Sequence, residues 1–450
     1  VATAALALLQ DATLTANLSG VDVLNISGAY TLTVGDAATV VDATYNVGTG
    51  STLSIGAADA NTVHTIAATG TGVVSVTGAT AADSYDFSGV TAASRANAVV
   101  RYTTGGALAN TTNWGTAGQL TIDVATGLVL TLTDAQASGQ YIQGAGAVNL
   151  STTALTQNLD VTHIANALQV GGNASGTLDV GTYALTINAG QIGTLALSGA
   201  GSVFVQNLAG DSNLANVTAA TVTASVSSDV DISGNSNLTS VDTYAINAGQ
   251  TLTVLTSQTA SGVALSGSGT VRFFDSGMFT GAWASTVSAE VAADQTLTIS
   301  ATMASGHTIQ GDAAAVDGTG GSVVITGLDN AVYNLANVHA GARDAGLAAG
   351  TVTASLTADT HLAHTTVLGD VALSIDANHL LTMTAAQAVA RSITGAGSVT
   401  LDAAAVATQY DFSTVDAMGT LTVEYSAVGT VHGSTVFTDV DVVHLASGAT

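Results

Sequence analysis

The stretch Leu128–Leu150, LVLTLTDAQASGQYIQGAGAVNL, decides the fold. Its opening alternates apolar residues with threonine, which places Leu128, Leu130 and Leu132 on one face of a strand and the threonines on the other. A short Ala-rich corner and a Gly-x-Gly turn follow, and a second apolar segment closes the unit. The same grammar returns as TLTVLTSQTASGVALSGSGTV (Thr251–Val271), TLTISATMASGHTIQGD (Thr296–Asp312) and LLTMTAAQAVARSITGAGSVTL (Leu380–Leu401). A partial copy, TLALSGAGSV, runs from Thr194 to Val203. A second signature recurs between the copies, as Tyr85-Asp86-Phe87-Ser88, Tyr333-Asn334-Leu335-Ala336 and Tyr410-Asp411-Phe412-Ser413.

The positions of Leu252, Leu297, Leu381 and Leu421 fit a degenerate unit near ~42 residues with one copy skipped. One such unit cannot bury its apolar face alone, so the pattern predicts an all-β, elongated parallel β-solenoid of short strands. At about 20 residues per coil, each unit supplies two coils. The expected organisation is one continuous repeat region, 1–450, less regular over 1–125 and clearer over 126–450. Short helical excursions are expected at Ala92–Val100 and Ala342–Ala349. With only two tryptophans, Trp114 and Trp283, the interior is expected to be narrow and lined by small side chains.

Composition narrows the chemistry. The chain has no Lys, Pro or Cys, and its 31 acidic residues are all aspartate except Glu290 and Glu424. The five cations, Arg95, Arg101, Arg272, Arg343 and Arg391, stand singly against a formal net charge of -26. Nucleic acid is excluded as a partner because phosphate binding needs clustered cations. An anionic membrane surface is disfavoured for the same reason. With 47% hydrophobic and only 8% charged residues, the chain can bury a core. Lack of Cys removes disulfides, thiolate metal sites and thiol catalysis. No run of about 20 apolar residues occurs, so no membrane span is expected. The opening VATAALALLQDATL has no basic segment of the kind that begins a signal peptide.

The repeat and the restricted alphabet resemble the repetitive regions of large bacterial cell-surface and secreted proteins: giant adhesins, S-layer-type proteins and type I secretion substrates. The resemblance covers roughly Leu128–Tyr425 and implies an extracellular, cell-surface location and a structural or adhesive role without catalysis. The Ca2+-binding nonapeptide of many such proteins is absent. Gly171-Gly172-Asn173 and Asp317-Gly318-Thr319-Gly320-Gly321 match it poorly.

Individual candidates are few. Asp229, Asp231, Ser233, Asn235 and Asn237 place oxygen-bearing side chains at alternate positions, which points to Ca2+ as the one expected ion. No Glu follows at the EF-hand position, and the alternative is a solvated strand face entering a turn. Asp439 and Asp441 form a similar outward pair. His361 and His364 have the spacing of a helical metal pair, but their surroundings read as strand and turn and show no third ligand. The Gly-x-Gly copies lack the third Gly of a dinucleotide fingerprint and the Lys of a P-loop, so they are turns. No GxSxG elbow is present. Isolated arginines leave little to stabilise an anion in a polysaccharide lyase. The threonine columns are too interrupted for an ice-binding face.

The expected function is therefore an extracellular structural protein that self-assembles into a surface filament or lattice, its partners being copies of itself and cell-surface polysaccharide. The alternatives are an adhesin stalk spacing a binding domain outside these residues, and a carbohydrate-active enzyme on a β-helix.

Overall fold

The structure, a computed structural model, describes residues 5–15, 17, 20–35, 43–61, 65–260, 262–312, 319–341 and 349–448. It is a parallel β-solenoid of about 21 turns, 44% strand and 6% helix. Two compact units divide the chain, the first mainly Val1–Asn207 and the second mainly Val241–Thr450. Short segments between Leu208 and Ser240 are shared out between them.

Within the first unit the ladder runs Leu32, Leu53 and Val74 in register, each on a parallel strand one turn after the last. Val76, Val100, Ile122 and Ile142 continue a second inner row. These side chains are fully enclosed while the threonines and serines between them are only half-buried, as period-two alternation requires. Within the second unit Leu252, Val271, Ala289, Ile309 and Val338 form one row. Ile299, Ile325 and Ala354 form another. Successive partners such as Thr251, Thr270 and Ser288 advance by close to the expected 20 residues.

The AQA corners of the repeat are single-turn helices, Asp134–Ala137, Ala189–Ile192, Ala301–Ala304 and Ala385–Ala388. Thr133 and Thr384 cap two of them, with Gln136 and Gln387 returning a bond to the cap. The glutamine also reaches into the preceding turn. Gln191 Nε2 donates to the carbonyls of Val161 and Ile164 at 2.8 and 2.6 Å. Gln258 does the same to Ile232 and Asn235 at 2.6 and 2.9 Å, and Gln387 to Ala363 and Thr366 at 3.0 and 2.9 Å. The repeated glutamine is thus a clamp between turns. It satisfies carbonyls that a corner leaves without a ladder partner. Met303 holds this position in the Ala301–Ala304 copy.

Four corner helices, Ala57–Ala60 and the last three of those above, face a left-handed residue one turn on along the ladder. Thr77, Gln206, Thr326 and Asp402 pair with the residues that precede the corner helices, Gly56, Asn188, Ser300 and Thr384. The next residue then turns left-handed in every case: Gly78, Asn207, Gly327 and Ala403. Ladder register shifts there between Leu401 and Ala404.

The Tyr-Asp-Phe-Ser signature builds another rung. Asp86, Asn334 and Asp411 form isolated parallel bridges with Asn113, Val367 and Val436. Asp86 and Asp411 each accept a bond from the amide of the serine two residues on, and the serine hydroxyl and amide hold both carboxyls below the usual carboxylate range. Tyr85 stacks on Phe87 and Tyr410 on Phe412, with ring centroids 5.2 and 5.5 Å apart.

Two expectations change in detail. Helix at Ala92–Val100 shrinks to the 3-10 turn Arg95–Asn97, because Val99 and Val100 pair in the ladder with Ser75 and Val76. The excursion at Ala342–Ala349 falls almost wholly outside the described residues, as do Asp317 and Gly318. The interior is also less uniformly small than expected, since Tyr45, Tyr102, Tyr244, Phe87, Phe273 and Phe412 are fully enclosed.

Candidate functional site

The stretch Asp229–Asn235 lies on the edge strand Val230–Asp231 and the turn after it. Val230 and Asp231 pair with Leu252 and Thr253, which turns Ile232 into the core and Asp231 outward. The carboxylates are engaged close to home. Asp229 Oδ1 accepts the amide of Thr251 at 2.8 Å, pinning the start of the next strand. Asp231 Oδ1 accepts both the amide and the hydroxyl of Ser233, at 2.9 and 2.6 Å. Asn235 Nδ2 donates to the carbonyl of Gly210 at 3.0 Å. Asn237 is exposed, and its carbonyl accepts the amide of Leu214. Alternation along the chain therefore places Asp229 and Asp231 on one outward edge, each with a turn to hold. Arg272 also lines the shallow depression containing Asp229 and Asp231, paired with Glu290 at 3.2 Å and Asp312 at 2.6 Å. A guanidinium beside these carboxylates opposes a cation there.

The corresponding stretch further along is Asp359-Thr360-His361-Leu362. Asp359 Oδ1 accepts the amide of Leu380 at 2.9 Å, as Asp229 does for Thr251. His361 pairs with Thr382, the counterpart of Thr253, and Leu362 is fully enclosed like Ile232. The turn beyond is one residue longer before the glutamine clamp, and His364 lies in it between the clamped carbonyls of Ala363 and Thr366.

Here the donors converge. His364 Nε2 lies 3.2 Å from Asp402 Oδ2, and His361 Nε2 lies 3.8 Å from the same oxygen. The three ligating atoms all fall within 4.8 Å of one another, and no other His, Cys, Asp and Glu group among the described residues does so. Asp402 is on the strand Ser398–Ala404, two turns on from His361, and the middle strand Leu380–Thr384 lies between them. Asp402 Oδ1 is buried and finds no hydrogen-bond partner among the described residues. Sequence spacing shows the two histidines but not the carboxylate. The signal for it is the ladder register, which carries Thr382 to Thr400 and so brings Asp402 to the corner that His364 overhangs.

Of the remaining sequence candidates, Asp441 Oδ2 accepts the amide of Leu421 at 2.8 Å, and Asp439 is an exposed turn residue with φ of 64°. The glycines of the Gly-x-Gly turns press on backbone. A Cβ on Gly267 would lie 2.1 Å from the Ile246 carbonyl oxygen, and one on Gly395 would lie 2.2 Å from that of Ile375. These glycines exist for close packing between turns.

No protein-family model matches the chain, and comparison with curated proteins and with solved structures gives no match. No helix among the described residues is long and apolar enough to cross a membrane.

Proposed function

We propose that this chain is a non-enzymatic structural protein of a bacterial cell surface, and that copies associate through divalent cations held between outward aspartates. The observation that carries this reading is the repeated aspartate turn. Asp86, Asp179, Asp329 and Asp411, which lie away from Arg272, each accept the amide two residues on, and each remains exposed. Negative charge is thereby fixed along the turns rather than spread over mobile side chains.

The described cations are already engaged. Arg101 pairs with Asp123, Arg272 with Glu290 and Asp312, and Arg95 covers the ring of Tyr141. Arg391 donates to the carbonyls of Gln387 and Val371. Copies therefore repel at long range, and contact needs bridging ions, for which aspartate oxygens and Ca2+ are suited. The engaged arginines also weigh against the alternative of a polysaccharide-cleaving groove, which needs cations free to meet a developing anion.

Sedimentation velocity in millimolar Ca2+ and in NaCl of equal ionic strength tests the proposal. Assembly in Ca2+ alone, reversed by chelation, is the expected result. A monomer in both salts at high protein concentration overturns it in favour of a stalk that spaces another domain.

A further inference from the structure

We infer that His361, His364 and Asp402 form a binding site for a first-row transition metal ion, Zn2+ above all, distinct from any Ca2+ bridging and independent of it. Two imidazoles and one carboxylate are the donor set of borderline divalent ions, whereas Ca2+ prefers an all-oxygen shell. The separations of 3.2 and 3.8 Å from Asp402 Oδ2 to the imidazole nitrogens bracket the roughly 3.3 Å edge of a tetrahedron with metal–ligand bonds of 2.0–2.1 Å. The two imidazole nitrogens lie within 4.8 Å of each other, so rotation of these exposed side chains closes the third edge around a metal.

Several independent features hold the donors in place. His361 is fixed by the ladder to Thr382. His364 sits in a turn whose carbonyls on both sides are gripped by Gln387. Asp402 is aimed by the bulge at Ala403, a non-glycine residue held at φ 51°. Its buried Oδ1, without a hydrogen-bond partner among the described residues, leaves the carboxylate short of positive charge. A divalent ion on Oδ2 supplies it. The histidine side chains are 61% and 54% exposed, so the ion enters from solvent and keeps at least one position for water.

The test is isothermal titration of the full chain with ZnCl2, in chelator-treated buffer at a protein concentration where it is monomeric. One saturable site per chain is expected, together with a rise in melting temperature. His361→Ala and His364→Ala should each weaken binding more than tenfold without changing the circular dichroism, because both side chains are exposed. Asp402→Asn should do the same while keeping the side-chain volume. His432→Ala, a surface histidine in another turn, should leave binding unchanged. Loss of Gln387 as a positioning residue, in Gln387→Ala, should weaken Zn2+ by less than loss of a ligand, within the roughly 10–100-fold range of outer-shell partners. Co2+ substitution should give the visible d–d absorption of a low-coordinate N/O site. The inference is overturned if Zn2+ binding is absent or unsaturable, or if His432→Ala reduces it as much as His361→Ala. Either result would make the cluster an ordinary imidazole–carboxylate contact, and neither would bear on Ca2+-driven assembly.

Discussion

Asp229-Val230-Asp231-Ile232 and Asp359-Thr360-His361-Leu362 occupy the same place in their turns, yet they do different things. Both begin with an aspartate that pins the amide opening the next strand. Both place a residue outward against the central threonine of that strand, and both bury the residue after it. In the first stretch the outward Asp231 folds back on Ser233. In the second, the outward His361 meets a histidine from a longer turn and a carboxylate from two turns on. The difference teaches where a solenoid assembles donors. Oxygens alternating along one strand stand in a line and serve their own turns. Donors stacked across the ladder, a few ångströms apart at the ~4.8 Å strand spacing, can converge.

The largest effect that can break this comparison is in the core shared by both stretches. Ile232→Asp and Leu362→Asp each bury an unpaired carboxylate at a position of 0% exposure, and each should cost about 4 kcal/mol or more. Equal and severe losses in thermal or denaturant unfolding are expected from both. A mild effect at either would mean that the two stretches are not equivalent in register. The clamps come next. Gln258→Ala and Gln387→Ala each remove two hydrogen bonds between turns, at about 1–3 kcal/mol in all, since the Ile232 and Ala363 carbonyls keep the turn amides of Asn235 and Thr366. Met303, at the glutamine position of another corner, provides the internal contrast. Met303→Ala should cost clearly less than either glutamine, having no clamp to lose.

The ladder was legible in the sequence because its signal is local. Leu-Thr-Leu-Thr alternation exposes each inward residue without knowledge of its neighbours, and Leu297, Leu381 and Leu421 all prove buried. The length of a turn was legible from the spacing of the copies. The AQA corner was visible as a repeat but not as a clamp, because Gln387 bonds residues 21 and 24 positions away. Asp402 was invisible for the same reason, lying 38 positions from His364. Helix does not extend over Ala92–Val100 because Val99 and Val100, whose β-branched side chains suit a strand, pair in the ladder.

A smaller effect separates the two outward residues themselves. Asp231→Ala removes a carboxylate that organises its turn and should cost roughly 1 kcal/mol, as loss of a helix-capping side chain does. His361→Ala removes an exposed side chain and should change metal-free stability by less than about 0.5 kcal/mol. With saturating Zn2+ the order reverses, since only His361→Ala forfeits the ion's stabilisation. Melting curves of the two variants with and without Zn2+ read this directly. A ranking that does not change with Zn2+ would return His361 to the same passive status as its counterpart.

The last contrast concerns the bulge that aims Asp402. Gly78 and Gly327 supply the left-handed residue in two equivalent turns, with nothing within 4 Å of a Cβ added to either. Gly327→Ala therefore isolates the backbone cost: left-handed strain of about 1–2 kcal/mol, offset by about 0.4–1 kcal/mol from a less flexible unfolded chain. A net loss near 1 kcal/mol or a little less follows. Ala403 bears that strain already, so Ala403→Gly should gain about 0.5–1 kcal/mol in the absence of metal. The same substitution frees the backbone next to Asp402 and should weaken Zn2+ binding severalfold. Stability and affinity moving in opposite directions would show that the strain at Ala403 serves the carboxylate. Both rising together would mean that the bulge only accommodates the corner helix before it, as it does at Gly327.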